Sequence, residues 1–210
     1  MRDFGRRKSR RKSFKASKIF TASKISRLVF FGLIGLIVLT IGLFAWYGRN
    51  LPTPGKLSSS NLPQSTKITD RNGVVLYAIY DEQNMSYVDL SKIPKYLKQG
   101  TIAIEDKDFY TNKGFSITGY FRSIFNIITL RGLAGGSTLT QQLVKNTLLT
   151  SERSISRKIK ELILAIQVDK RYSKDQVLEL YLNVAPYGGT NVGVEAASEN
   201  YFGKKVQDLN

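Results

Sequence analysis

The sequence predicts a mainly α-helical domain with a small β entry, carried on a single membrane-spanning helix. Three observations support this: an uncharged apolar run of twenty residues from Leu28 to Tyr47, an alternating segment that turns at Asp70-Arg-Asn-Gly73, and helix-period apolar stripes with caps from Ser91 onward.

The chain has 210 residues and a formal net charge of +16, unevenly spread. Residues 1–27 hold 11 of the 32 Lys and Arg and one acid, Asp3. Such a tail invites a nucleic-acid reading. The segment that follows argues against one. Leu28–Tyr47 would form a helix roughly 30 Å long, the thickness of a bilayer core. Trp46 and Tyr47 stand at its far end, where aromatic side chains favour the membrane interface. A cleaved signal would have a shorter apolar region and a small-residue cleavage site, which is not found after Tyr47. The expected organisation is therefore a basic cytoplasmic tail (1–27), a retained signal anchor (28–47), a linker (48–66) and an exported domain (67–210). Attraction to anionic lipid accounts for the basic tail, so no nucleic-acid partner is expected.

Pro, Ser and Asn dominate residues 49–66, as in a linker. From Lys67 to Leu90 apolar and polar residues alternate around Asn72-Gly73, a hairpin signal. The next pattern is a helix ending near Glu105 and Asp106. Ile117–Leu130 is apolar with one charge, Arg122. It is too short to span a bilayer, and fits either a buried core helix or a flap dipping into the outer leaflet. Apolar positions 155, 159, 162, 163 and 166 mark an amphipathic helix. Ser173-Lys-Asp-Gln176 fits a capping box for a helix to about Asn183. Pro186, Gly188, Gly189 and Gly193 then break the chain before a short helix at 194–201.

The absence of Cys and His excludes disulfides, thiol nucleophiles, imidazole triads and the usual zinc sites. Acid–base chemistry near neutral pH falls to Asp, Glu, Lys or Tyr. Glu105 lies in Ala-Ile-Glu-Asp-Lys-Asp-Phe109, where three carboxylates within four positions should raise at least one pKa. It is either a general base or part of a solvated acidic helix end. Glu161 is placed to pair with Arg157 and Lys158, as ordinary helix salt bridging or as a carboxylate held among cations beside a diphosphate. Arg153 and Lys145 would complete that cluster. The run Gly135-Gly-Ser-Thr-Leu-Thr-Gln-Gln-Leu-Val-Lys-Asn146 offers a helix capped by Ser137 or Thr138, followed by Gln141, Gln142, Lys145 and Asn146. Such a surface suits sugar hydroxyls and a phosphate, though a capped helix with a polar face has the same composition.

Taken in order, these stretches resemble the peptidoglycan glycosyltransferases of family 51, found in class A penicillin-binding proteins and monofunctional transglycosylases. Glu105-Asp106-Lys-Asp-Phe109-Tyr-Thr-Asn112-Lys-Gly114 matches the family's Glu-Asp-x-x-Phe-x-x-His-x-Gly motif, with Asn112 in place of the usual His. Gly135–Gln142 matches Gly-x-Ser-Thr-x-Thr-Gln-Gln, and Lys145-Asn146 continues it. Arg157-Lys158-Ile-Lys-Glu161, Leu178-Glu-Leu-Tyr-Leu-Asn183, Gly193-Val-Glu-Ala-Ala197 and Tyr201-Phe-Gly-Lys204 follow in family order.

The resemblance implies a lysozyme-like fold and a plasma-membrane enzyme with its catalytic domain outside the cell. It implies lipid II and the growing glycan as substrates, with cell-wall synthesis proteins as further partners. Glu105 would be the general base and Glu161 the second catalytic carboxylate. Asp106, Phe109, Thr138, Gln141, Gln142, Lys145, Asn146, Arg153, Arg157, Lys158 and Asn183 would bind substrate. A divalent cation, Mg²⁺ or Mn²⁺, suits a diphosphate leaving group, with no ligands fixed by the sequence. Family members continue past the position of Asn210, the bifunctional ones into a transpeptidase domain, so the chain is expected to be C-terminally incomplete. An inactive membrane-tethered scaffold and a lysozyme-like glycan-cleaving enzyme are the alternative readings.

Overall fold

In a computed structural model the described residues are 13–49, 51–57, 62, 64–73, 75–80, 82–116, 119, 136–150, 152 and 154–210. Most of the Ile117–Leu130 stretch, together with Gly135 and Arg153, lies outside them. The chain divides into two units, residues 1–49 and 50–210.

The first unit is one helix, α1 (Ser13–Gly48). Its segment Lys24–Gly48, 25 residues with a mean hydropathy of 2.7, is long and apolar enough to cross a membrane. Among the described residues none of its side chains is buried, so its apolar side chains from Leu28 to Trp46 are exposed or only partly covered. The Thr40 hydroxyl donates to Leu36 O at 2.7 Å, which pairs the one polar group of this stretch within the helix itself. At the far end the Arg49 guanidinium lies over the Trp46 ring, 5.7 Å from its centroid.

In the second unit a short linker leads into β1 (Thr66–Thr69) and β2 (Val75–Ile79), an antiparallel hairpin. Asp70 nucleates its turn, as its Oδ1 accepts from Asn72 N and its carbonyl from Gly73 N. The two-residue β3 (Asn84–Met85) runs parallel to β4 (Asn191–Val192), a pairing that alternation alone does not reveal. The helices are α2 (Lys95–Glu105), α3 (Leu139–Thr147), α4 (Ile155–Arg171), α5 (Lys174–Val184) and α6 (Val194–Phe202). The fold is thus mainly α with a small β entry, as expected.

Helix α3 lies against both α4 and α5 and forms the centre of the core. Leu139, Leu143 and Val144 of α3 are fully buried, as are Leu164 and Val168 of α4 and Val177 and Leu182 of α5. The Ser173 capping box predicted for α5 is present, with Gln176 returning the bond. Two side chains of α5, one turn apart, hold the irregular segment 87–90. Glu179 accepts from the Tyr87 hydroxyl and from Leu90 N, while Asn183 bonds both backbone groups of Val88. The linker is fixed at the end of α4, where the Tyr172 hydroxyl lies 2.8 Å from the carbonyls of both Pro54 and Leu57.

Candidate active site

Helix α2 ends at Glu105 because the chain turns at Asp106, whose backbone leaves the helical region. The two neighbouring carboxylates therefore have opposite environments. Glu105 is exposed, whereas Asp106 is 8% exposed and points inward. Asp106 accepts from the Asn112 amide at 2.8 and 3.1 Å and from Leu139 N, the first residue of α3, at 3.1 Å. Burial raises its pKa above the ordinary 3.8 and outweighs the opposing bonds from Leu139 and Asn112 and the pull of Lys174. Asp108 adds the smallest contribution, so desolvation rather than carboxylate crowding is the main cause.

Asn112 fills the position where the resemblance expects His. Its Nδ2 faces Asp106, while its Oδ1 accepts from Gly114 N at 3.0 Å and from Lys174 Nζ at 3.1 Å. Every polar atom of the amide is thus committed, and no ring is needed for the contact with Asp106. Lys174 also donates to Asn112 O and to Asp169, and its ammonium sits 5.0 Å from the centre of the Phe109 ring. Phe109 itself is fully buried and supports the loop from beneath.

Thr138, not Ser137, caps α3, in a capping box with Gln141. Its hydroxyl donates to Gly114 O at 2.7 Å, tying the Asp106 loop to the start of the helix. Gly114 has φ +82, and a Cβ there would come within 2.6 Å of Ala165 O, so only glycine fits where this loop crosses α4. Gln141 is fully buried, its Oε1 accepting from Thr138 N, and it does not face the cavity beside Glu105. Gln142 instead contacts Glu105 itself: its Nε2 donates to Glu105 Oε2 at 2.7 Å. Lys145 and Asn146 are exposed. Asn146 borders an apolar cavity of about 750 Å³ formed with Leu57, Met85, Leu148, Val184 and Pro186.

Glu105 opens into a smaller polar cavity of about 180 Å³, shared with Lys107, Asp108, Ser116, Ser137 and Thr138. Lys158 of α4 holds one wall of this cavity, donating to Ser137 Oγ at 2.8 Å. The same ammonium pairs with Glu161, which is 2% exposed, and Arg157 approaches the other Glu161 oxygen at 3.5 Å. The expected trio of Arg157, Lys158 and Glu161 is therefore assembled, with its lysine end at the cavity wall. Asn183 does not line this cavity. It is fully buried on α5, holding Val88 at 2.8 and 2.9 Å.

Two tyrosines near Glu105 were not found by sequence reasoning. Tyr181 of α5 donates to Gln142 Oε1 at 3.3 Å, and burial followed by the Glu105 charge pushes its phenol pKa up. Tyr187, just beyond α5, is raised to about 12 by burial and then by Glu105. For Tyr181 the signal lies inside Leu178–Asn183, where the motif does not set its hydroxyl apart; Tyr187 carries none.

Among the described residues no three acidic side chains gather to hold a divalent cation. Both Glu161 oxygens face cations and the Asp106 carboxylate faces N–H donors.

A family model described as transglycosylase matches residues 72–210. Penicillin-binding protein 1A of Rickettsia bellii (strain RML369-C) is 39% identical over 195 residues, covering 91% of this chain and 24% of that protein. Penicillin-binding protein 1A of Aquifex aeolicus (strain VF5) is 40% identical over 177 residues, covering 84% of this chain and 24% of that protein. Penicillin-binding protein 1F of Bacillus subtilis (strain 168) is 43% identical over 149 residues, covering 70% and 21%. The chain spans about a quarter of the length of these curated relatives. The matched residues take in Glu105, the α3 cap and the Arg157–Glu161 cluster, and the chain belongs to the transglycosylase family.

Proposed function

We propose that the chain is a peptidoglycan glycosyltransferase module that polymerises lipid II into β-1,4-linked glycan with release of polyprenyl diphosphate. It would be anchored by α1 with its basic N-terminus in the cytoplasm and its catalytic unit outside. The placement of Glu105 carries the reading. It is an exposed carboxylate at a helix end, in a polar cavity whose wall residue Ser137 is held by the half-exposed Lys158 of a paired cation cluster.

In this mechanism Glu105 takes the proton from the acceptor's sugar 4-hydroxyl as that oxygen attacks the donor's anomeric carbon. The α-linked diphosphate departs from the opposite face, so the new bond has the β configuration. Gln142 holds Glu105 through one oxygen, and among the described residues no donor occupies the other, which is left for the incoming hydroxyl. Lys158 and Arg157, with Lys145 and Arg153, balance the charge that collects on the leaving diphosphate. Glu161 fixes the first two in place rather than meeting substrate, consistent with its burial. Cations gathered beside a general base suit diphosphate departure better than glycan cleavage, which releases no such charge.

The test is incubation of the membrane-anchored chain with purified lipid II and, separately, with finished glycan. Polymer should form only from lipid II, and Glu105→Gln should slow it by about 10²-fold or more. Shortening of finished glycan, or an unchanged rate in Glu105→Gln, would overturn the reading.

A further inference from the structure

Arg157 of α4 has donors to spare. Its guanidinium approaches Glu161 at 3.5 Å through one nitrogen, and its buried Nε has no hydrogen-bond partner among the described residues. The side chain lines a cleft of about 190 Å³ at the start of α4. Lys160, nearly one turn further along, lines the same cleft; it is partly buried and meets no acid among the described residues. Ser154 and Ser156 add two hydroxyls joined by a single bond of 2.9 Å, while Ser154 Oγ also accepts from Arg157 N. One such bond uses one hydroxyl proton, so the other has no acceptor among the described residues, whichever serine donates. The unmet groups of this cleft are therefore donors, two of them on cations, at the positive end of a 17-residue helix. Glu161 does not cancel them, because Lys158 shares it. Glu152, the one acid among the described lining residues, is exposed and pairs with neither cation. Such a set calls for an anion with several oxygens.

The same cleft is also lined by the apolar side chains of Leu51, Pro52, Leu148 and Leu149. Pro52 and Leu148 line the apolar cavity of about 750 Å³ as well, so the two spaces adjoin. A cationic cleft beside an apolar cavity has the form of a site for a phosphate that carries a hydrocarbon chain.

We propose that the cleft and the adjoining cavity hold an anionic phospholipid of the surrounding bilayer, its phosphate on Arg157, Lys160 and the Ser154–Ser156 pair and an acyl chain in the apolar cavity. This rests on the reading of α1 as a membrane anchor, not on Glu105 as the base. Two observations select a bilayer lipid over the substrate of the transfer. Cleft and cavity share no lining residue with the cavity of Glu105, whereas a diphosphate bonded to the anomeric carbon would have to lie beside that carboxylate. Leu51 and Pro52 follow the last residue of α1 by three and four positions, at most about 14 Å of extended chain, where bilayer lipid is the abundant amphiphile.

The experiment uses the full chain in neutral detergent micelles with a phosphatidylglycerol that carries a photoreactive group on one acyl chain. After illumination, label should map to Leu57, Met85, Leu148 and Val184 of the apolar cavity. Unlabelled phosphatidylglycerol should displace it at lower concentration than phosphatidylcholine or polyprenyl diphosphate does. Lys160→Gln and Ser156→Ala should each lower this label about three- to ten-fold, while label on α1 and the basic tail stays as in wild type. Circular dichroism checks that both variants are folded. Lys160 has no part in the transfer, so Lys160→Gln should polymerise lipid II at the wild-type rate in the same micelles.

Equal displacement by phosphatidylcholine, preferential displacement by polyprenyl diphosphate, or unchanged label in both variants would each overturn the proposal. A raised KM for lipid II in Lys160→Gln would assign the cleft to the substrate instead. If alkaline carbonate strips the wild-type chain from vesicles, the anchor reading fails and the proposal with it. If the chain stays in the vesicles and no label reaches the cavity, only the lipid site fails.

Discussion

Replacing Asn183 by Leu separates two roles that the same residue could have. The side chain is fully buried and makes three bonds: Nδ2 to Val88 O at 2.9 Å, Nδ2 to Glu179 O at 2.8 Å, and Oδ1 from Val88 N at 2.8 Å. The bond to Glu179 O joins residues of one helix, so its loss matters little. The other two pair the backbone of Val88, itself 7% exposed, and leucine would leave both groups without partners. At about 1–3 kcal/mol for each unsatisfied buried group, the loss should be about 2–6 kcal/mol. For a domain of this size that lowers the melting temperature by on the order of 10 °C. Far-UV circular dichroism of the intact chain in detergent micelles measures the shift. Hydrogen exchange at the Val88 amide should speed up in parallel. A variant within about 1 kcal/mol of wild type that binds lipid II more weakly would refute the clamp and return Asn183 to the substrate site.

Three further outcomes are expected. Burial raises Asp106, so the folded chain holds that proton more tightly than the unfolded chain does. Its contribution to stability is full below pH 3.8 and fades as pH rises through the raised value, so wild type should gain on Asp106→Asn in acid denaturation series. Thr138→Ala removes both the α3 cap and the bond to Gly114 O, and should cost about 1–2 kcal/mol in urea titrations. Tyr172→Phe frees the linker carbonyls at the end of α4. It should cost about 1 kcal/mol and make residues 51–57 more open to limited proteolysis, with global melting little changed.

Much of the fold was legible because local chemistry decided it. The Ser173 and Thr138 caps lie where hydroxyl, spacing and Gln at the third helical position place them. The Arg157–Lys158–Glu161 cluster follows from helical spacing alone. Reading failed where one residue type serves two purposes. Gln141 and Gln142 are neighbours of identical chemistry, about 100° apart around α3, and only the packing of α4 and α5 decides which one is buried. In the same way the motif that contains Asn183 does not tell that its amide bonds the Val88 backbone. The pairing of β3 with β4 and the approach of Tyr181 to Gln142 bring together residues distant in sequence, and no local pattern reports them.

Gly114 has a consequence for how variation in this chain should be interpreted. Its nitrogen is bonded by Asn112, its carbonyl by Thr138, and its Cα lies against the backbone of α4. Three segments therefore converge on a residue with no side chain. In a screen scored only by growth or polymer yield, a substitution there would be scored with loss of Glu105, although Gly114 takes no part in the chemistry. Abundance measured beside activity would tell the two apart: loss of Glu105 should leave a folded, silent protein, while a side chain at Gly114 should leave little protein at all.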